Sequence, residues 1–184
     1  VTIAIAFLGP LVGSLARPFG GLLADKVGGA IITFWNFIAM AAATIGVLYF
    51  VGVKDFTGFL VMFLILFVTT GIGNGSTYRM IPSIFREENL RKVKGQGDAA
   101  RVAALKTASI ESGAALGFIG AIGACGGYLI PSGFGKSIAV TGGPQLALII
   151  YLGFYACCLA LTWWYYLRRN PETAGAPSLA EARI

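Results

Sequence analysis

Five long apolar stretches restrict this chain more than any other feature of its sequence. Each stretch is long enough to cross the ~30 Å hydrocarbon core of a bilayer as a helix. Each is continuously apolar rather than alternating between apolar and polar residues, which favours helices over the strands of a membrane barrel. Charged residues make up 12% of the chain, against about 25% in a typical soluble domain. We therefore predict an all-α, polytopic transmembrane helical bundle over residues 1–169, followed by a tail at 170–184. The stretches are 1–24, 29–52, 57–84, 103–130 and 144–167.

The positively charged residues predict how these helices are oriented. Ten of them fall on one side of the predicted membrane, and two, Lys54 and Lys136, fall on the other. Because cytoplasmic loops carry an excess of Lys and Arg, we predict that loops 25–28 and 85–106 and the C-terminus are cytoplasmic. Topology then explains the net charge of +6, and no nucleic-acid partner is expected. The ten are Lys26, Arg86, Arg91, Lys92, Lys94, Arg101, Lys106, Arg168, Arg169 and Arg183.

The start of the chain indicates a longer protein. Val1 already lies inside an apolar stretch, and no initiator methionine precedes it. Five spans with a cytoplasmic C-terminus would leave the N-terminus outside, although there is no cleavable signal peptide to carry it there. We therefore expect the C-terminal part of a longer polytopic protein. Its partners would then include the lipid bilayer and the missing N-terminal half.

Arg17 is the one charged residue of the first stretch. A guanidinium at membrane depth costs ~2.5–3.5 kcal/mol on insertion scales, so such a residue normally faces a cavity or a ligand. Its neighbours on the same helical face, at spacings of three or four, are Pro10, Gly13, Gly21 and Ala24, all too small to obstruct a ligand. We predict that Arg17 binds an anion. The alternative is pairing with a carboxylate in the missing half.

A loop motif follows the first stretch. Gly21, Asp25, Lys26 and Gly28 occur in the order GxxxDKxG. Here Gly21 allows close helix contact, Asp25 can cap a helix or pair across the cytoplasmic face, and Gly28 permits a tight reversal. An ordinary short polar loop is the alternative interpretation. The motif resembles the loop signature of the major facilitator superfamily, and this resemblance implies that the five stretches are helices eight to twelve of that fold.

Glycines recur every three or four residues in the fourth stretch. At 100° per residue they share about one third of the helix circumference. Each costs ~1 kcal/mol of helix propensity relative to alanine, so the pattern indicates a specific need. Tight helix packing is one explanation, and a sliding surface whose bare backbone approaches a small substrate is another. We call these residues the glycine stripe: Gly113, Gly117, Gly120, Gly123 and Gly127.

Three segments in the same order resemble the NarK-type nitrate/nitrite porter family. They are Ala16–Gly29, Gly71–Phe85 and Gly117–Pro131, the last resembling that family's second nitrate signature. The resemblance implies that two arginines, one from each half of a twelve-helix bundle, hold nitrate. It further implies that Arg17 is the arginine of helix eight and that Gly117, Gly120 and Gly123 border the substrate. Some members have a serine at the position of Gly120.

These observations predict a transporter that carries nitrate and nitrite by alternating access, located in the bacterial inner membrane. A guanidinium suits nitrate because its charge does not depend on pH and its planar donor fork can match two oxygens. No covalent chemistry, cofactor or metal is expected, since the chain has no histidine and its cysteines lack CxxC spacing. The alternatives are a porter for another small anion, such as a carboxylate, and a non-transporting membrane scaffold.

Three further polar residues receive weaker predictions. For Arg79 we expect snorkelling to the membrane interface rather than substrate contact. For Glu111 we expect an interfacial carboxylate near a helix N-terminus rather than a proton site. Asn74 begins an Asn-Gly-Ser sequon, but its apolar surroundings should make it unavailable for glycosylation.

Overall fold

The computed structural model describes residues 2–168, and this part of the chain contains helices and no strand. All five helices are long and apolar enough to cross a membrane, so the predicted all-α class is confirmed. The predicted tail at 170–184 lies outside the described residues. The elements are α1 (Thr2–Val27), α2 (Gly29–Val53), α3 (Phe56–Lys92), α4 (Asp98–Thr141) and α5 (Gln145–Thr162), the last continuing into a π-helical turn at Trp163–Leu167.

Helices α3 and α4 extend well beyond the apolar stretches that predicted them. Only residues 93–97 separate the two helices, whereas the sequence indicated a loop over 85–106. Hydropathy marks the part of a helix that lipid can surround, but the helix itself can continue into water. Ion pairs at i,i+4 spacing extend α3 there, from Glu87 to Arg91 (3.3 Å) and from Glu88 to Lys92 (3.2 Å).

Helix α4 also continues past residue 130, where the predicted stretch ended, and it contains a proline. Pro131 lies inside the helix, which continues to Thr141. In membrane helices a proline is tolerated because neighbouring groups can satisfy the backbone carbonyl that it frees. The helix ends instead at Gly142, whose φ of 74° is accessible to glycine without strain.

A single residue connects α1 to α2. Gly28 has a φ of 105°, a conformation that other residues rarely adopt. This conformation allows the chain to reverse between the two helices. The reversal places α2 antiparallel to α1, and both helices then pack against α3.

Helix α3 is the centre of the bundle, with contacts to α1, α2 and α4. At two glycines of α3, its contact with α1 is made directly by backbone atoms. A Cβ added to Gly71 would overlap the carbonyl oxygen of Gly13, and one added to Gly75 would overlap that of Arg17. Small residues allow such close approach, which strengthens dispersion and Cα–H···O contacts between helices in a membrane.

A buried hydrogen bond joins α2 to α3. The hydroxyl oxygens of Thr33 and Ser76 lie 2.8 Å apart, and Ser76 is fully buried. In an apolar environment neither hydroxyl could find water as an alternative partner. The bond therefore holds the two helices in register at the level where α1 also contacts α3.

Candidate functional site

Arg17 lies in a cavity of about 230 Å³ between α1 and α3. From α1 the cavity is lined by Pro10, Gly13, Ser14 and Arg17, which are spaced i, i+3, i+4 and i+7 and so share one face. The predicted small neighbours Pro10 and Gly13 are therefore beside Arg17 in the cavity. Gly21 and Ala24, the other two, do not line it.

Helix α3 supplies the opposite wall with the same spacing. Its lining residues are Phe67, Thr70, Gly71 and Asn74. Phe67 provides an aromatic surface, and its ring lies against the backbone of Gly9 and Gly13. Thr70 donates its hydroxyl to the carbonyl oxygen of Leu66 at 2.7 Å, so it offers an acceptor rather than a donor to the cavity.

The guanidinium of Arg17 has no partner in the part of the chain that the structure describes. No carboxylate there pairs with it, and no carbonyl or hydroxyl there accepts a hydrogen bond from it. The side chain is exposed to the cavity. An unpaired fixed cation beside small residues can bind an anion, or a carboxylate from outside the described residues.

The glycine stripe does not line this cavity. A Cβ added to Gly117 or Gly123 would meet nothing within 4 Å. At Gly120 it would meet only the hydroxyl of Tyr78, at 3.7 Å. Among residues 2–168, therefore, the stripe touches another helix only at Gly120, and none of its glycines lines the cavity that holds Arg17. A shared role of Arg17 and the stripe in one substrate site stays a prediction.

The loop motif forms an ion pair between helices. The Arg79 guanidinium donates to both Asp25 carboxylate oxygens, with Nη2 to Oδ2 at 2.8 Å and Nε to the two oxygens at 3.1 and 3.2 Å. Asp25 thus pairs across to α3, one of the two roles expected for it. Both side chains are about half exposed, so the pair contributes ~0–1 kcal/mol and serves mainly to position the helix ends. Lys26 beside it is exposed.

Glu111 accepts a hydrogen bond from the Asn89 amide at 2.8 Å, and Asn89 is buried between α3 and α4. The carboxylate was expected near a helix N-terminus. It lies instead well inside α4, because that helix begins at Asp98. The charged residues around Lys94 hid this early start, since they do not resemble a membrane span.

Ser14, Thr70 and Asn74 also line the cavity, although no binding role was expected for them from the sequence. One pattern could have indicated them. The four lining residues of α3, which include Asn74, have the same i, i+3, i+4, i+7 spacing as the four of α1, which include Arg17. Each group of four also contains a glycine. Nothing local shows that these two faces meet, so the pattern alone does not identify the site.

No family model matches the chain. The chain is similar to the nitrate/nitrite transporter NarU of Salmonella typhimurium, at 46% identity over 172 residues that cover 91% of this chain and 37% of that protein. The Escherichia coli K12 NarU is 45% identical over 169 residues, covering 90% and 36%. The probable nitrate/nitrite antiporter NarK2 of Thermus thermophilus is 31% identical over 170 residues, covering 91% and 33%. The chain thus spans about a third of the length of these curated relatives.

Proposed function

Because the chain belongs to the NarK-type nitrate/nitrite porter family, we propose that it forms part of a transporter that moves nitrate and nitrite by alternating access. The observation that carries this proposal is the unpaired guanidinium of Arg17 in a cavity lined by small residues. The chain then binds and moves its ligand without any covalent step. It is an integral membrane protein of helical type, and we place it in the bacterial inner membrane with its C-terminus in the cytoplasm.

The chemistry of the cavity suits nitrate. Nitrate is planar, monovalent and weakly basic, so its binding requires a charge that does not titrate and donors that lie in one plane. The Arg17 fork supplies both, and it can hold two oxygens at once. The ring of Phe67 and the side chain of Pro10 give the cavity apolar walls, which suit an anion that loses its water readily.

We further propose that the chain is the C-terminal part of the transporter, corresponding to helices eight to twelve. The glycine stripe supports this assignment, because all its glycines except the half-buried Gly120 are exposed along α4, as are the neighbouring side chains of Phe118 and Ile122. An apolar surface of this kind requires a cover, from lipid or from another part of the same protein. Here the N-terminal half would cover it and would supply the second side of the substrate site.

The proposal is tested by anion uptake into proteoliposomes that contain the full-length transporter. We expect saturable uptake of nitrate and nitrite, with little competition from acetate or formate. The 184-residue chain alone should give no saturable uptake, because alternating access needs a second half to move against. Transport of a carboxylate but not of nitrate would favour the other porter, and no transport of any anion would favour the scaffold.

The glycine stripe yields a prediction about turnover. In the full-length transporter, Gly117→Leu or Gly123→Leu should stop nitrate uptake, since a leucine would overpack a surface that must approach its neighbour closely. The control Leu116→Ile, outside the stripe, keeps the volume of the side chain and should be tolerated.

The variant Gly117→Ala then separates a role in motion from a role in lining the substrate. Slower turnover at unchanged affinity indicates motion, whereas weaker affinity indicates a lining residue. Normal uptake by both leucine variants would exclude the stripe from the mechanism.

A further inference from the structure

We propose that Asn74 is a second substrate-contacting residue, which favours nitrate over nitrite. This inference rests on the proposed function and deepens it, since it assigns selectivity to one side chain of α3. Asn74 and Arg17 line the same cavity of about 230 Å³ from opposite helices. Asparagine carries two amide donors and no charge, so it can bind an oxyanion without altering the charge of the site.

The backbone contact between α1 and α3 determines where Asn74 lies. Gly71 meets the backbone of Gly13, and Gly75 meets that of Arg17. Asn74 stands between these two glycines in the sequence and therefore lies at the level of Arg17 along the bundle. With no flexible side chain between the two backbones, the backbone positions of Asn74 and Arg17 are held in a fixed relation, on which a selective site can be built.

The hydrogen-bonding state of Asn74 differs from that of the other asparagines in residues 2–168. Asn36 is buried and donates to the sulfur of Met40, while Asn89 is buried and donates to Phe85 and Glu111. Asn74 is exposed to the cavity and makes no hydrogen bond to the described part of the chain. Asn36 and Asn89 thus have structural partners, and the donors of Asn74 remain available to a ligand.

The geometry of the two anions provides the selectivity. A guanidinium fork that holds two oxygens of nitrate leaves a third oxygen in the same plane. Nitrite has only two oxygens, so the same fork leaves none. A neutral donor on the opposite wall can therefore bind the remaining oxygen of nitrate. On nitrite that direction holds only the lone pair of the nitrogen, which lies one bond length further from the donor and is a weaker acceptor than the oxygen. The Asn74 amide is such a donor.

The test compares half-saturation concentrations for nitrate and nitrite in proteoliposomes of the full-length transporter. We expect Asn74→Ala to raise the nitrate value about tenfold, the effect of losing one hydrogen bond to a charged ligand, and the nitrite value by less than about threefold. Asn74→Leu keeps the volume of the side chain without its donors and should give the same result, which separates lost hydrogen bonding from a packing defect.

Asn74→Asp should abolish uptake of both anions, because its carboxylate would pair with Arg17. The control Ser83→Ala, on α3 outside the cavity, should leave both values unchanged.

Equal half-saturation values for Asn74→Leu and the wild type would overturn the proposal, as would an equal rise for both anions. The proposed function would be contradicted by a different result, namely a wild-type transporter that carries neither nitrate nor nitrite. If the wild type carries nitrate and depends on Arg17 but not on Asn74, the proposed function survives and the role of Asn74 does not.

Discussion

Arg17→Lys is expected to lower nitrate uptake by the full-length transporter by more than about tenfold, with normal membrane insertion. Lysine keeps the positive charge but loses the planar fork that binds two oxygens together. Hydrogen bonds to charged groups contribute about 1.5–3 kcal/mol each, and about 1.4 kcal/mol corresponds to a factor of ten. Arg17→Ala, which also removes the charge, should abolish uptake.

The matched control for this prediction is Arg86→Lys. Arg86 is exposed near the C-terminal end of α3, outside the Arg17 cavity, and its replacement makes the same chemical change. We expect this variant to transport nitrate at the wild-type rate. Wild-type uptake by Arg17→Lys would place the substrate site elsewhere, and it would leave the cavity between α1 and α3 without a function.

Gly75→Ala should greatly destabilise the full-length transporter. Its new Cβ would overlap the carbonyl oxygen of Arg17, which belongs to the backbone and cannot rotate away. Overpacking of this kind typically costs 1–3 kcal/mol, about equal to or greater than the ~1 kcal/mol that alanine gains in helix propensity. Because the obstacle is backbone, we expect a cost at the upper end. The measurement is the thermal midpoint of the purified protein in detergent.

Gly153→Ala provides the comparison. This glycine lies in the middle of α5, and an added Cβ would meet nothing within 4 Å in the described structure. Its thermal midpoint should stay the same or rise, since only the propensity gain remains. A Gly75→Ala protein as stable as Gly153→Ala would show that α1 and α3 do not cross through backbone contact.

The glycine stripe and the α1–α3 crossing illustrate what a pattern of small residues can predict. Spacing predicted a special role for five glycines of α4, but in residues 2–168 a Cβ added to Gly117 or Gly123 would meet no other helix within 4 Å. The close backbone contact occurs at Gly71 and Gly75, which received no such role. Spacing identifies a small helical face but not its partner, because a partner is chosen by complementarity between two surfaces.

The polar residues also show which features the sequence predicts and which depend on helix packing. The cost of a charge in lipid was enough to single out Arg17, and helical periodicity was enough to place Pro10 and Gly13 beside it. The expectation that Arg79 reaches the membrane interface stays a prediction, but the structure shows a partner that was not expected, Asp25 of α1 at 2.8 Å. Nothing in the sequence near Arg79 indicates that partner, since the two residues are brought together only when α1 packs on α3.

The sequence by itself determined the helical membrane class, the apolar core of each span and the one charged residue of the first span. Each of these follows from local physics: the transfer free energy of a segment and the periodicity of a helix. Tertiary structure alone decided that α3 supplies the second wall of the Arg17 cavity and that Asn74 lies on it. That contact joins residues far apart in the chain. It depends on how closely two backbones can approach, which no single segment encodes.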